Sequence, residues 1–218
     1  MKKIMFNDKY GLTQAVLDGR KTMTRRIIKY PKSEPSFSDF IGDYDEAKEK
    51  GYLDYGNGIV FFLIEDRNKS FLCAPSYKVG EVVAIAQSYE TIYHEKGLET
   101  LDMLVSSWKN SKGWRNKMFV KADLMISHIR ITNIKIERLQ DISDEDCIRE
   151  GVELNDRQYE YDGTKWYCVR GLGHWRAIGC DNFNTPREAF AALMDKVSGK
   201  GTWESNPYVF AYEFELID

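Results

Sequence analysis

Apolar and polar positions alternate most clearly at the end of the chain, where Tyr208, Phe210, Tyr212 and Phe214 stand against Val209, Ala211, Glu213 and Glu215. This period of two predicts a β-strand over Tyr208 to Leu216 that closes a sheet. Residues 126–139 predict a longer strand. Ile129 and Ile131 fall on one parity and Ile134 and Ile136 on the other, so a bulge near Thr132 and Asn133 is expected to switch the faces. The apolar run at 82–86 reads as a buried strand, and residues 59–64 and 70–72 flank a polar turn at 66–69, as in a hairpin. Residues 3–6 supply a short first strand.

Helical spacing appears between these strands. Leu12, Val16 and Leu17 share one face of a helix that Asn7 or Asp8 caps and Gly19 stops. Leucines 98, 101 and 104 with Met103 predict another between Lys96 and Lys112. Ser143 and Asp146 open a short helix running through Glu150 to Gly151. Thr185-Pro186-Arg187-Glu188 opens the best-specified helix, with cap, first-turn proline and box glutamate, followed by an apolar face of Phe190, Leu193, Met194 and Val197.

Residues 30–58 and 152–184 lack sustained periodicity and read as two long excursions, the first with room for a short helix near Glu46. The second interleaves Tyr159, Tyr161, Trp166, Tyr167 and Trp175 with Lys165, Arg170, His174 and Arg176. That mixture suits stacking on exposed bases, or equally a loop folded onto the sheet by its own aromatic rings. With 218 residues and no repeat or heptad seam, the chain predicts one α+β domain over 1–218.

Composition narrows the function. A net charge of -3 excludes a protein that coats long stretches of nucleic acid. The four cysteines form no CxxC pair, and neither His128 nor His174 has metal-ligand spacing, so no metal, cofactor or disulfide framework is expected. The start lacks the apolar run of a secretory leader and no stretch reaches membrane-span length; a cytoplasmic protein with reduced thiols is expected. Against this acidic background Arg20, Lys21, Arg25, Arg26, Lys29 and Lys32 form a basic cluster without an acid. It is either a solvated face or the seat of an anionic ligand.

The order of residues in that cluster carries more. A glycine-ended helix followed by Gly19-Arg20-Lys21-Thr22-x-Thr24-x-Arg26 resembles the signature of the ASCH group of the PUA-like superfamily. The resemblance extends to Lys78-Val79-Gly80-Glu81, to Leu139-Gln140-Asp141-Ile142 with the helix ending Glu150-Gly151, and to Trp203-x-x-Asn206-Pro207. It leaves both excursions unmatched, and the chain is longer than the compact enzymes of the group. The resemblance implies a PUA-like mixed β-barrel with flanking short helices and two long insertions. It also implies a cleft that binds RNA or a modified nucleobase, with Arg20, Arg25, Arg26, Tyr89 and Glu90 as ligand-binding residues. One branch of the group removes the acetyl group of N4-acetylcytidine with a lysine, a threonine and a glutamate. The matching positions here are Lys21, Thr24 and Glu150. A threonine hydroxyl needs a base to take its proton, which Lys21 would be, and Glu150 would protonate the leaving amine. Plainer roles stand beside these: a phosphate-binding charge, a strand threonine, a helix-end ion pair. A protein-interaction scaffold is the third expectation.

Overall fold

The structure, a computed structural model, describes residues 1–29, 52–54, 60–64, 69–97, 102–155, 163–173 and 181–218. In chain order its elements are β1 (Lys3–Ile4), α1 (Leu12–Leu17), β2 (Met23–Ile27), β3 (Tyr52–Asp54), β4 (Val60–Ile64), β5 (Lys69–Cys73), β6 (Val82–Ile85), α2 (Tyr89–Glu95) and α3 (Asp102–Lys109). There follow β7 (His128–Arg138), α4 (Asp144–Arg149), β8 (Glu153–Leu154), β9 (Tyr167–Cys168), α5 (Pro186–Ser198), α6 (Thr202–Ser205) and β10 (Tyr208–Leu216). Among the described residues a five-stranded mixed sheet has the order β1-β6-β7-β10-β2, with β1 and β6 parallel. The strands β3-β4-β5 form a separate three-stranded sheet, and β8-β9 a two-stranded one.

The strand expected to close the sheet, β10, instead runs through its interior between β7 and β2. The reason lies in the second parity of its alternation. Val209 and Ala211 are fully buried, as are their large neighbours Phe210 and Tyr212, so the first half of the strand is covered on both faces. Only from Glu213 onward does one face meet solvent. The bulge predicted in the long strand is present: Glu213 opposes Asn133 and Phe214 opposes Ile131, leaving Thr132 as the extra residue.

The edges of the sheet are β1 and β2. Among the described residues no ladder joins them, so the sheet is not closed by backbone pairing. A side chain spans the gap, Arg26 Nη2 donating to the Met5 carbonyl at 2.6 Å. A second link joins distant segments of sequence. Gln140 donates its backbone N–H to Asn206 Oδ1 and its amide to the Trp203 carbonyl, both at 2.8 Å, while Leu139 N–H reaches Pro207 O.

The helix predicted after residue 7 divides in two. The Asn7 side chain accepts from Lys9 N–H over a single 3-10 turn, Asp8–Tyr10, and Gly11 separates this turn from α1. Helix α2 lies in a stretch where the periodicity predicts no helix. Ser88 caps it by accepting from Thr91 N–H. In α5, Thr185 accepts from Glu188 N–H as predicted, but Glu188 reaches back to Asn184 N–H instead of Thr185. Phe190, Leu193 and Met194 are buried on the sheet, while Val197 emerges at the rim.

The excursions contribute more than expected. The first contains β3; the helix near Glu46 lies outside the described residues. The second sends Val152, Val169 and Leu172 into the core and buries Cys168. Tyr159, Tyr161, His174, Trp175 and Arg176 fall outside the described residues. Phe190 is 1% exposed at the centre of the α5 contact. Phe190→Ala is therefore expected to cost about 3–5 kcal/mol in denaturant unfolding, and a loss under about 1 kcal/mol would mean that α5 does not hold the core.

Candidate functional site

Two glycines bring the ends of α1 and α4 together. Gly19, at φ +71°, stops α1 and lets the amides of Arg20 and Lys21 both donate to the Ala15 carbonyl at 2.9 Å. Gly151, at φ +106°, ends the turn after α4, where a Cβ would lie 3.1 Å from Leu12 and 3.6 Å from the Lys21 stem. Thr22 N–H donates to the Arg149 carbonyl, and Phe214 N–H to Thr22 O, pinning the entry to β2 between α4 and β10. Lys21 Nζ consequently donates to both the backbone carbonyl and the Oε2 of Glu150, each at 2.6 Å. Lys21 is 2% exposed and Glu150 4%.

The basic cluster is largely neutralised from within. Antiparallel register puts Arg25, Ala211 and Lys135 on one face of the sheet, flanked by Glu137 and Glu213. The buried Arg25 guanidinium donates to Glu137 at 2.7 Å, Asp146 at 3.0 Å and Glu150 at 3.2 Å. Arg149 links Asp146 to Glu213, and Lys135 lies 3.0 Å from Glu213. Lys21, Arg25, Arg149 and Lys135 thus face Glu150, Glu137, Asp146 and Glu213. Arg20 turns away to Asp18 and Glu153. The sequence cluster contained no acid because its acids come from α4, β7 and β10.

Electrostatics differ across this network. Burial pulls the Lys21 ammonium below the usual lysine range, opposed by Glu150 and assisted by Arg26 and Arg25. Burial also works against the Arg25 charge, but the carboxylates of Glu150 and Glu137 outweigh it and hold Arg25 above its ordinary value. Hydrogen bonding from Arg149 draws the Glu213 carboxyl down to about 2. Cys147, beneath the network, is pushed up to about 12 by burial and is an inert thiol.

The pair opens on a hollow of about 1120 Å³ bounded by β2, the residues after β1, and α5. Lys21, Thr24, Arg25, Arg26 and Glu150 all line it, together with Phe6, Ser76 and Tyr77. Thr24 sits opposite Tyr212 in register, on the other sheet face from Arg25. Among the described residues its hydroxyl has no hydrogen-bond partner, and Thr24 is 5% exposed. Arg20, Tyr89 and Glu90 do not line the hollow. Tyr89 stacks on Trp108 with ring centroids 4.7 Å apart, and Glu90 lies 4.0 Å from Arg115. Ser76 and Tyr77 were not singled out from sequence. Ser76 N–H donates to Tyr212 Oη at 2.9 Å and Tyr77 Oη donates to Lys3 O at 3.0 Å, placements that only the folded sheet creates.

Among the described residues no three His, Cys, Asp or Glu side chains group to hold a metal ion, and no helix is long and apolar enough to cross a membrane. Cys73, Cys147 and Cys168 form no disulfide.

Removing Glu150 takes from the buried Lys21 ammonium its paired carboxylate, while Arg25 keeps Glu137 and Asp146; removing Lys21 leaves Glu150 still paired with Arg25. Glu150→Gln is therefore expected to destabilise by about 3–5 kcal/mol and Lys21→Met by clearly less; the reverse order in denaturant unfolding would contradict this network. Glu213 has a folded pKa depressed from 4.5 to about 2, so its stabilisation is complete above pH 4.5 and is lost as pH falls towards 2. Glu213→Gln should flatten the decline in stability across that window, measured by unfolding at successive pH values. Comparison with protein-family models, curated proteins and solved structures finds no match to this chain.

Proposed function

We propose that the hollow beside β2 binds a modified pyrimidine nucleobase, as a nucleoside or within RNA, in a curled sheet of the PUA-like, ASCH type. The observation that carries this reading is the Lys21–Glu150 pair, desolvated yet set in the wall of a hollow large enough for such a ligand. A buried ion pair is a poor source of stability, because desolvation offsets most of its attraction, so its position at an opening favours a recognition role. Lys21 has three N–H donors, of which Glu150 takes two. The Glu150 oxygens each accept one bond, from Lys21 and Arg25, and keep acceptor capacity. A donor beside an acceptor matches the hydrogen-bonding edge of a pyrimidine. Phe6 and Tyr77 add ring surface, and Arg26 and Lys29 add positive charge for phosphate. The side-chain bridge from Arg26 to Met5 supports the barrel-like reading, since it ties the two open edges across the same hollow.

Thr24 favours a second reading, hydrolysis of the N4-acetyl amide of such a nucleoside. Its hydroxyl lies in the same hollow as the desolvated lysine. Lys21 would pass a proton to Glu150, 2.6 Å away, and as a neutral amine take the Thr24 proton while the oxygen attacks the acetyl carbonyl. Glu150 would then protonate the departing N4 amine. Water would release acetate from the threonine ester and restore the hydroxyl.

Calorimetric titration with N4-acetylcytidine and with cytidine tests the first reading, and chromatography of the incubated mixture tests the second. The expected results are binding of the acetylated nucleoside, weakened at least about tenfold by Lys21→Met, and appearance of cytidine that Thr24→Val abolishes without loss of binding. Absence of binding by the wild-type protein sinks both readings. Binding without any cytidine ends the second alone.

A further inference from the structure

Residues 103–122 hold five cations, Lys109, Lys112, Arg115, Lys117 and Lys121, and not one Asp or Glu, in a chain of net charge -3. This stretch runs from α3 through two 3-10 turns towards β7 and is firmly seated. The carbonyls of Gly113 and Trp114 accept the first amides of α2, at 3.0 and 3.1 Å. Lys3 Nζ donates to the carbonyls of residues 117, 118 and 120. Trp108 stacks on Tyr89, and Trp114 packs edge-on to Tyr93. A Cβ on Gly113 would come within 2.5 Å of the Tyr89 ring, so the chain lies directly against α2. Tryptophan and Val120 fill the inner side, which leaves the cations outward: Lys112, Arg115 and Lys121 are exposed.

Two apolar side chains share that outer surface. Met118 is 58% exposed and Phe119 52%, and the Lys112 ammonium lies over the Phe119 ring at 5.8 Å. An open aromatic face with cations around it suits an unpaired base stacked between phosphates. The surface adjoins the hollow. Lys117 lines both that hollow and a smaller one of about 280 Å³, whose wall includes Arg115. Two of the five cations already face acids, Lys117 with Asp8 at 2.6 Å and Arg115 with Glu90 at 4.0 Å, while Asp123 pairs with the N-terminal ammonium at 3.3 Å and Glu95 with Gln87 at 2.9 Å; the surface charge therefore rests mainly on Lys112 and Lys121.

We infer that residues 109–121 form a docking surface for single-stranded RNA, which presents a base to the adjoining hollow. This inference rests on the nucleobase reading and deepens it: the ligand is a base within a strand, bound more tightly than the free nucleoside. An anionic membrane surface would also meet lysines beside Met118 and Phe119, but the adjoining hollow, which shares Lys117 in its wall, favours a polymer that can place one unit inside.

The test uses the full chain and the charge-reversed variant carrying Lys112→Glu, Arg115→Glu and Lys121→Glu, all exposed positions outside the hollow, with a separate Phe119→Ala variant as a milder change. Probes are fluorescent short single-stranded RNA containing one N4-acetylcytidine, the free nucleoside, and phosphatidylserine vesicles. Wild-type RNA binding should weaken steeply between about 50 and 200 mM salt. The charge-reversed variant should bind RNA at least about tenfold more weakly, with the salt slope reduced by about 2, while its affinity for the free nucleoside is unchanged. Phe119→Ala should weaken RNA binding without altering the salt slope. Equal RNA affinity in wild-type and both variant proteins, or vesicle binding without RNA binding, overturns the inference and leaves the nucleoside reading intact. Charge-dependent RNA binding without nucleoside binding supports the surface and removes the nucleoside reading.

Discussion

Most of what distinguishes this protein depends on one expensive contact, an ammonium and a carboxylate held almost out of water at the junction of α1, β2 and α4. Taking both groups from solvent costs several kcal/mol per ion, and Coulomb attraction offsets that only with good geometry and extra hydrogen bonds. The fold supplies both. Lys21 gains the Glu150 carbonyl as well as its carboxylate, and Glu150 gains Arg25 as well as Lys21. The network then spreads outward through Asp146 and Glu213 to Arg149 and Lys135, where water shares the load. Charge is almost evenly matched inside it, and for that reason the positive field expected at residues 20–26 is much weaker than the sequence implies.

Local signals in the sequence were strong wherever one element determined its own geometry. Thr185 with Pro186, Ser143 with Asp146, and the parity switch at Thr132 each act within a few residues, and each appears in the structure as expected. Burial on two faces was harder to read. Val209 and Ala211 are small apolar residues that suit a half-covered strand as well as a central one, so the interior position of β10 became visible only with β2 and β7 in place. Ser88 capped a helix that periodicity did not reveal, because Ile92 and Tyr93 alone make too short an apolar stripe.

The candidate site divides in the same way. Lys21, Thr24 and Glu150 were reached through the order of residues, and the hollow gathers all three. Their ion-pair partners were not legible, since Glu137, Asp146 and Glu213 lie far along the chain and carry no local pattern that marks them for Arg25 or Arg149. Tyr89 and Glu90 belong to the neighbouring helix, drawn to Trp108 and Arg115 by contacts between segments that periodicity cannot pair.

The interior placement of the last strand has a consequence for how the chain is made. Strand β2 leaves the ribosome well before β10, its backbone partner in the main sheet among the described residues. Until β10 arrives, β2 has no ladder to join among the described strands, and Glu137 of β7 lacks the scaffold that sets it beside Arg25. Such long-range pairing slows folding and prolongs exposure of unpaired edges. Biogenesis of this protein is thus expected to be a late, nearly all-at-once event, in which the sheet and its charged seam form together.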